Sequence, residues 1–182
     1  MASIIKANQL QDFGGNSILT SDGAGVVTPN ASGIKMTPAF EASVSADQTV
    51  SSSTWTVAAC DTVEYDTDSC YNNSTYKFTP TVAGKYVCYG YVYGQCSTDN
   101  ELNRVIMALS KNGSRLVNAT MQANTSSESC VFTPGAHVVY DLNGSTDYLQ
   151  MEGFVHITAG NAQISGAANQ RSYFGAYKMI GA

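Results

Sequence analysis

Between Tyr148 and Ile157 the side chains alternate without a break. Leu149, Met151, Gly153, Val155 and Ile157 fall on one side, and Tyr148, Gln150, Glu152, Phe154 and His156 on the other. A period of two marks a strand with one apolar face, because successive side chains of an extended chain point to opposite sides. No stretch of ten or more residues carries a 3.6-residue apolar period, so the chain is built from strands. Composition agrees: charged residues are 13% of the total, against about 25% in a typical domain, too few to furnish solvated helix faces. One Trp, eleven Tyr and six Phe argue equally against disorder.

Strand-like segments recur at Ala39–Val44, Trp55–Glu64, Tyr76–Thr79, Lys85–Tyr93, Arg104–Leu109, Ser114–Met121, Cys130–Phe132, His137–Leu142, Tyr148–Ile157 and Tyr173–Ile180. Asn112-Gly113 and Asn143-Gly144 are dipeptides that tolerate positive φ at both hairpin positions. Two segments are apolar on both sides. Val105-Ile106-Met107-Ala108-Leu109 has no polar face, and Tyr86, Tyr89, Tyr91 and Tyr93 supply aromatic surface to both faces of theirs. A two-layer monomer covers one side of each strand, so a second copy is the expected cover for the other. Residues 37–182 form this β domain. Residues 1–36 hold Ile4, Ile5, Leu10 and Phe13 among glycines, too little for a core, and read as an extended arm ordered by docking.

The chain lacks the parts of an enzyme. Its two histidines, His137 and His156, both lie in strand patterns, and no nucleophile-elbow, zinc-protease or phosphate-loop motif occurs. Five cysteines without a C-x-x-C read as buried, reduced thiols; a Cys60–Cys70 or Cys88–Cys96 bridge is the alternative. Asp61, Glu64, Asp66 and Asp68 make one acidic cluster that could offer oxygens to Ca²⁺, but it lacks the EF-hand spacing and reads as a solvated loop. No cofactor or metal is expected. With 9 basic against 14 acidic residues, a net charge of −5, and no basic cluster, neither nucleic acid nor an anionic membrane is an expected partner. No apolar run reaches the length of a signal peptide or a membrane span.

Landmarks then fall in a known order. Pro38-Ala39-Phe40-Glu41-Ala42 resembles the "AFxA" opening of the globular C1q-like domain. The run from Tyr76 to Tyr86 (YKFTPTVAGKY) resembles its "FTAPVAGxY" segment, Lys111-Asn112-Gly113 its "KNG" turn, and Phe174 to Ile180 its closing "FSGFLL". The resemblance spans residues 37–180. It implies an all-β, antiparallel jelly-roll sandwich of the C1q/TNF superfamily, assembled as a homotrimer. Phe40, Tyr86, Tyr89, Tyr91, Val105, Met107, Leu109, Phe174 and Tyr177 are the residues expected in its core and trimer interface. Ala136 stands where the family's Gly-Asp turn has its Asp, and no calcium ligands are carried over.

The arm carries a second resemblance. Ile5 to Ser17 (IKANQLQDFGGNS) is similar to the "KVNxLQDxxGN" opening of tail-fibre-like proteins of marine bacteriophages. That resemblance implies a virion surface protein, anchored to other virion proteins through Ile4, Ile5, Leu10 and Phe13. The expected role is a short fibre or spike that recognises a host surface glycan or protein. A capsid decoration protein and a free C1q-like lectin are the alternatives.

Overall fold

In the computed structural model, residues 7–31, 34–98, 101–123, 131–166 and 172–181 are described. The strands run in chain order β1 (Gln9–Gln11), β2 (Ser17–Ser21), β3 (Val27–Pro29), β4 (Ala39–Ser43), β5 (Gln48–Val50) and β6 (Trp55–Val57). Next come β7 (Thr62–Asp66), β8 (Tyr71–Asn72), β9 (Lys77–Phe78), β10 (Gly84–Tyr91), β11 (Gly94–Cys96) and β12 (Leu102–Lys111). The last are β13 (Ser114–Gln122), β14 (Val131–Phe132), β15 (Gly135–Leu142), β16 (Leu149–Ile157), β17 (Ala162–Ile164) and β18 (Tyr173–Lys178). A five-stranded antiparallel sheet, β15-β10-β18-β4-β7, faces a second sheet ordered β13-β12-β16-β9-β8, with β6 also on β16. A four-stranded sheet, β14-β11-β17-β5, follows the lateral order of the five-stranded one, as if it were the same sheet continued past a bend.

Alternation sorts the side chains. Phe40 and Ala42 of β4, Tyr86 and Cys88 of β10, and Phe174 and Ala176 of β18 point inward. They meet Val105, Met107 and Leu109 of β12 and Leu149, Met151 and Val155 of β16. Phe40 stacks on Tyr71 and Phe78, with ring centroids 4.6 and 4.4 Å away, and takes the edge of Phe174 at 4.9 Å. The buried phenols are satisfied by backbone carbonyls, Tyr71 on Cys60, Tyr86 on Val82 and Tyr140 on Leu109.

Several sequence expectations need correction. Trp55–Glu64 is two strands: β6 lies on the six-stranded sheet and β7 on the five-stranded one, and the chain crosses between them at the buried Ala58 and Cys60. Asn112 and Gly113 do make the hairpin turn, with φ of 52° and 79°. Asn143-Gly144 does not. The strands it joins belong to different sheets, and the Asn143 side chain instead accepts the amides of Ser145, Thr146 and Asp147. The arm is a folded meander, β1-β2-β3, and is not extended. Asp12 and Asp22 accept backbone amides across its two turns, where Gly15, Gly23 and Gly25 take positive φ.

The second face of β12 is also covered from within the chain, where a second copy was expected. Since β12 lies between β13 and β16, Arg115 of β13 must cross it to reach Glu152 of β16, which it does at 2.6 and 2.9 Å. Beneath it Ala108 and Ser110 are wholly buried, small enough to let the guanidinium pass. The same guanidinium lies 4.5 Å from the Trp55 ring, Trp55 leans on Phe154, and Arg104 covers Phe154 at 5.2 Å.

Arg115→Ala leaves Glu152 shielded without its cation. The half-exposed guanidinium discounts the effect relative to a fully buried pair, and a loss of about 2 kcal/mol is expected. It should appear as a lower urea midpoint with an unchanged slope.

Candidate self-association face

Burying Tyr86, Cys88, Phe174 and Ala176 sends their neighbours to the outer face of the five-stranded sheet. There Tyr91 lies opposite Tyr173, with centroids 4.2 Å apart and rings edge to face. Val87 lies opposite Tyr177 and, on its other side, Val139. Between these rows Tyr89 lies opposite Gly175. A Cβ at Gly175 would sit 2.5 Å from Tyr89 Cζ, so the glycine gives the ring its bed across β18. Laid there, Tyr89 donates its hydroxyl to Glu41 Oε2 at 2.8 Å, and the Tyr65 hydroxyl is 3.3 Å away. Burial, then the bonds to Tyr65 and Glu41, push the Tyr89 phenol up; burial does the same for Tyr91 and Tyr173.

The result is an aromatic face left partly open. Val139 and Tyr65 keep 48% and 43% of their surface exposed, and Tyr89, Tyr91, Tyr173 and Tyr177 are half-buried. Tyr89, Tyr91 and Tyr177 of the sequence-derived set meet here, whereas Phe40, Tyr86, Val105, Met107, Leu109 and Phe174 lie in the core of the single chain. Tyr173, Tyr65, Glu41 and His137 belong to the face but were not singled out. Tyr173 and Tyr177 alternate legibly in their strand; the pairing that brings Glu41 and Tyr65 alongside does not show in the residues.

The other candidate residues fall elsewhere. Of the acidic cluster, Asp61 accepts from Ser45, Glu64 from Ser43, Asp66 from the Cys70 and Tyr71 amides, and Asp68 from Thr67. Separate donors hold the four carboxylates, and no three metal-ligating side chains converge among the described residues. Cys60, Cys70, Cys88 and Cys96 are free and buried; Cys130 lies outside the described residues. His137 and His156 stand on different sheets. Leu10 and Phe13 are exposed on the arm meander, while Ile4 and Ile5 lie outside the described residues.

Solved structures with the same arrangement are known. The globular domain of zebrafish complement 1qA superposes with a TM-score of 0.57 at 14% identity, over 78% of this chain and 96% of that one. The fold is the C1q/TNF jelly roll. Eiger TNF from S. frugiperda gives 0.54 at 16% identity, over 79% and 92% of the two chains. Murine APRIL gives 0.55 at 12%, over 78% and 98%. No protein-family model matches the sequence, and no curated protein sequence does. The jelly roll is therefore carried here by a sequence far removed from these three.

Two outcomes follow. Gly175→Val drives a side chain into the Tyr89 ring and should destabilise by about 1–3 kcal/mol. Adding Tyr89→Ala removes the clash, so the double variant should lose less than the sum of the two single losses, a non-additivity readable in thermal unfolding. In alkali, burial holds the Tyr140 phenol at about 12 and pushes the Cys60 and Cys88 thiols up. Acids whose folded values are raised bind protons more tightly when folded. Their contribution is complete below the unfolded values, about 8.5 for Cys and 10 for Tyr, and is lost as pH rises toward 12. Ultraviolet titration should show the buried Tyr140 ionising only as the fold is lost.

Proposed function

We propose that the chain is a non-enzymatic surface protein that works as a homotrimer joined through the tyrosine face. On this reading it is displayed on a bacteriophage particle and held there by residues 1–36. The observation that carries the proposal is the open face itself. One side of the five-stranded sheet is core, and the other offers Tyr89, Tyr91, Tyr173, Tyr177 and Val139 to the outside. Half-exposed tyrosines in a contiguous group are the composition of an interface core. The C1q-like landmarks of residues 37–180 supply the number three. The virion setting rests on the resemblance of Ile5 to Ser17 to tail-fibre openings, and the exposed Leu10 and Phe13 are side chains by which an arm could dock.

A short fibre or spike contacting a host glycan or protein is the reading we favour. Capsid decoration is the second, and the arm's folding favours it: a meander of strands three to five residues long keeps the globe close to the surface it is attached to.

Sedimentation of the full chain should return three times 19.3 kDa, and a stable monomer at micromolar concentration would overturn the trimer. Removing residues 1–36 should leave a trimer of nearly unchanged melting temperature that no longer enters particles. If the truncated protein is still incorporated, the anchor lies on the globe. An electron-microscopy map of the particle separates head from tail, and a protein absent from that map is the free lectin.

A further inference from the structure

One row of the tyrosine face crosses all five strands: His137 on β15, Tyr89 on β10, Gly175 on β18, Glu41 on β4 and Tyr65 on β7. The row is asymmetric in charge. Toward one edge Glu41 accepts the Tyr89 hydroxyl at Oε2, and its second oxygen has no donor among the described residues. On the opposite edge strand His137 is exposed, and its ring has no hydrogen bond or ion pair among the described residues. A carboxylate set among tyrosines is costly to cover unless a cation meets it.

A contact between these two edges rests on the homotrimer proposed above. A cyclic trimer is closed by unlike sides, so the edge one copy presents is received by the opposite edge of the next. Ala39, where the arm joins the sheet, lies opposite Tyr177, close to where the last strand ends. Three arms leave together toward one anchoring surface when the symmetry axis runs along the strands. The rows then circle that axis, and the β15 edge of one copy meets the β4–β7 edge of its neighbour. We propose that His137 of each copy pairs with Glu41 of the next, so that three such contacts complete the trimer and tighten it as the pH falls.

The other charged groups of the face already have partners within the chain. Lys85 and Asp141 pair with each other at 2.6 Å, and Glu64 accepts from Ser43 at the β7 edge. Burial pushes the Tyr89, Tyr91 and Tyr173 phenols further up, away from neutral pH. Imidazole is the one group type here whose ordinary value, about 6.5, lies between pH 5 and 8. An imidazolium beside a carboxylate holds its proton more tightly in the trimer than in the free chain. The assembled state thus binds more protons, and association strengthens as pH falls from about 8 to about 6. The gain is lost again only where carboxylates protonate, near pH 4.

The test is sedimentation equilibrium of the full chain across that range, for the native protein, His137→Gln, Glu41→Gln and the double variant. His137 is exposed, and Glu41→Gln keeps an acceptor for Tyr89, so both variants are expected to fold. Native association should strengthen about tenfold per contact toward pH 6. Either single variant should flatten the profile, and the double variant should add nothing further. His156, on the other sheet, is retained throughout. A His137→Gln or Glu41→Gln trimer with the native pH profile overturns the pairing and leaves the homotrimer standing. Absence of a trimer at every pH overturns the homotrimer, and the pairing with it.

Discussion

Phe40 holds the two large sheets in register. Its ring stacks on Tyr71 and Phe78 of β8 and β9 and meets the edge of Phe174 on β18, so one fully buried side chain ties both layers together. With Phe40 and Ala42 inside, alternation leaves Glu41 no place but the outer face. A slip of one residue would put the carboxylate into the core and the ring into solvent, and that penalty makes the register of β4 a strongly specified one. The position of Glu41 beside Tyr89 is thus a consequence of core packing.

The same two strands that carry the face are thinned at two neighbouring points. Gly90 lies opposite Phe174, and Gly175 opposite Tyr89, one step along the ladder. A Cβ on Gly90 would meet the Tyr173 carbonyl at 2.6 Å and the Met151 sulfur at 3.0 Å on the inner side. A Cβ on Gly175 would meet Tyr89 on the outer side. Strand interiors ordinarily lose stability with glycine. Here each missing side chain admits a larger neighbour, Met151 into the core and Tyr89 across β18, so the sheet is thin where its two surfaces are most closely fitted.

How much of this the residues disclose depends on the range over which each feature is encoded. The alternation of Leu149 to Ile157 and the Asn112-Gly113 turn are local, and both were legible. The two-residue strand at Tyr71, and the three-residue strands at Gln48, Gly94 and Ala162, are too short to show a period; they exist because neighbouring strands offer them a ladder. The arm meander was hidden for a similar reason: its strands are only three to five residues long, and turns capped by Asp12 and Asp22 hold it. The face was half legible. Tyr89, Tyr91 and Tyr177 announce aromatic surface, but Tyr65 and Glu41 join them only through strand pairing that no short window contains. The reach of Arg115 over β12 to Glu152 is likewise a property of sheet order.

That reach also separates two surfaces that look alike in sequence. β10 and β12 both carry apolar side chains on both faces, and both invite a second layer. On β12 the outer layer is the Arg115–Glu152 ion pair, with the Arg115 and Arg104 guanidiniums lying on Trp55 and Phe154 and the Arg115 side chain 37% exposed. Such a surface is finished, since covering it would strip solvent from charges already paired. Over β10 the layer is tyrosine, which loses little on burial provided its hydroxyl finds a partner. The hydroxyl of Tyr89 has already found Glu41 within its own chain. The tyrosine face is therefore the one for which a further layer brings apolar burial without charge desolvation at most of its positions, and Glu41 is where that layer has to supply something specific.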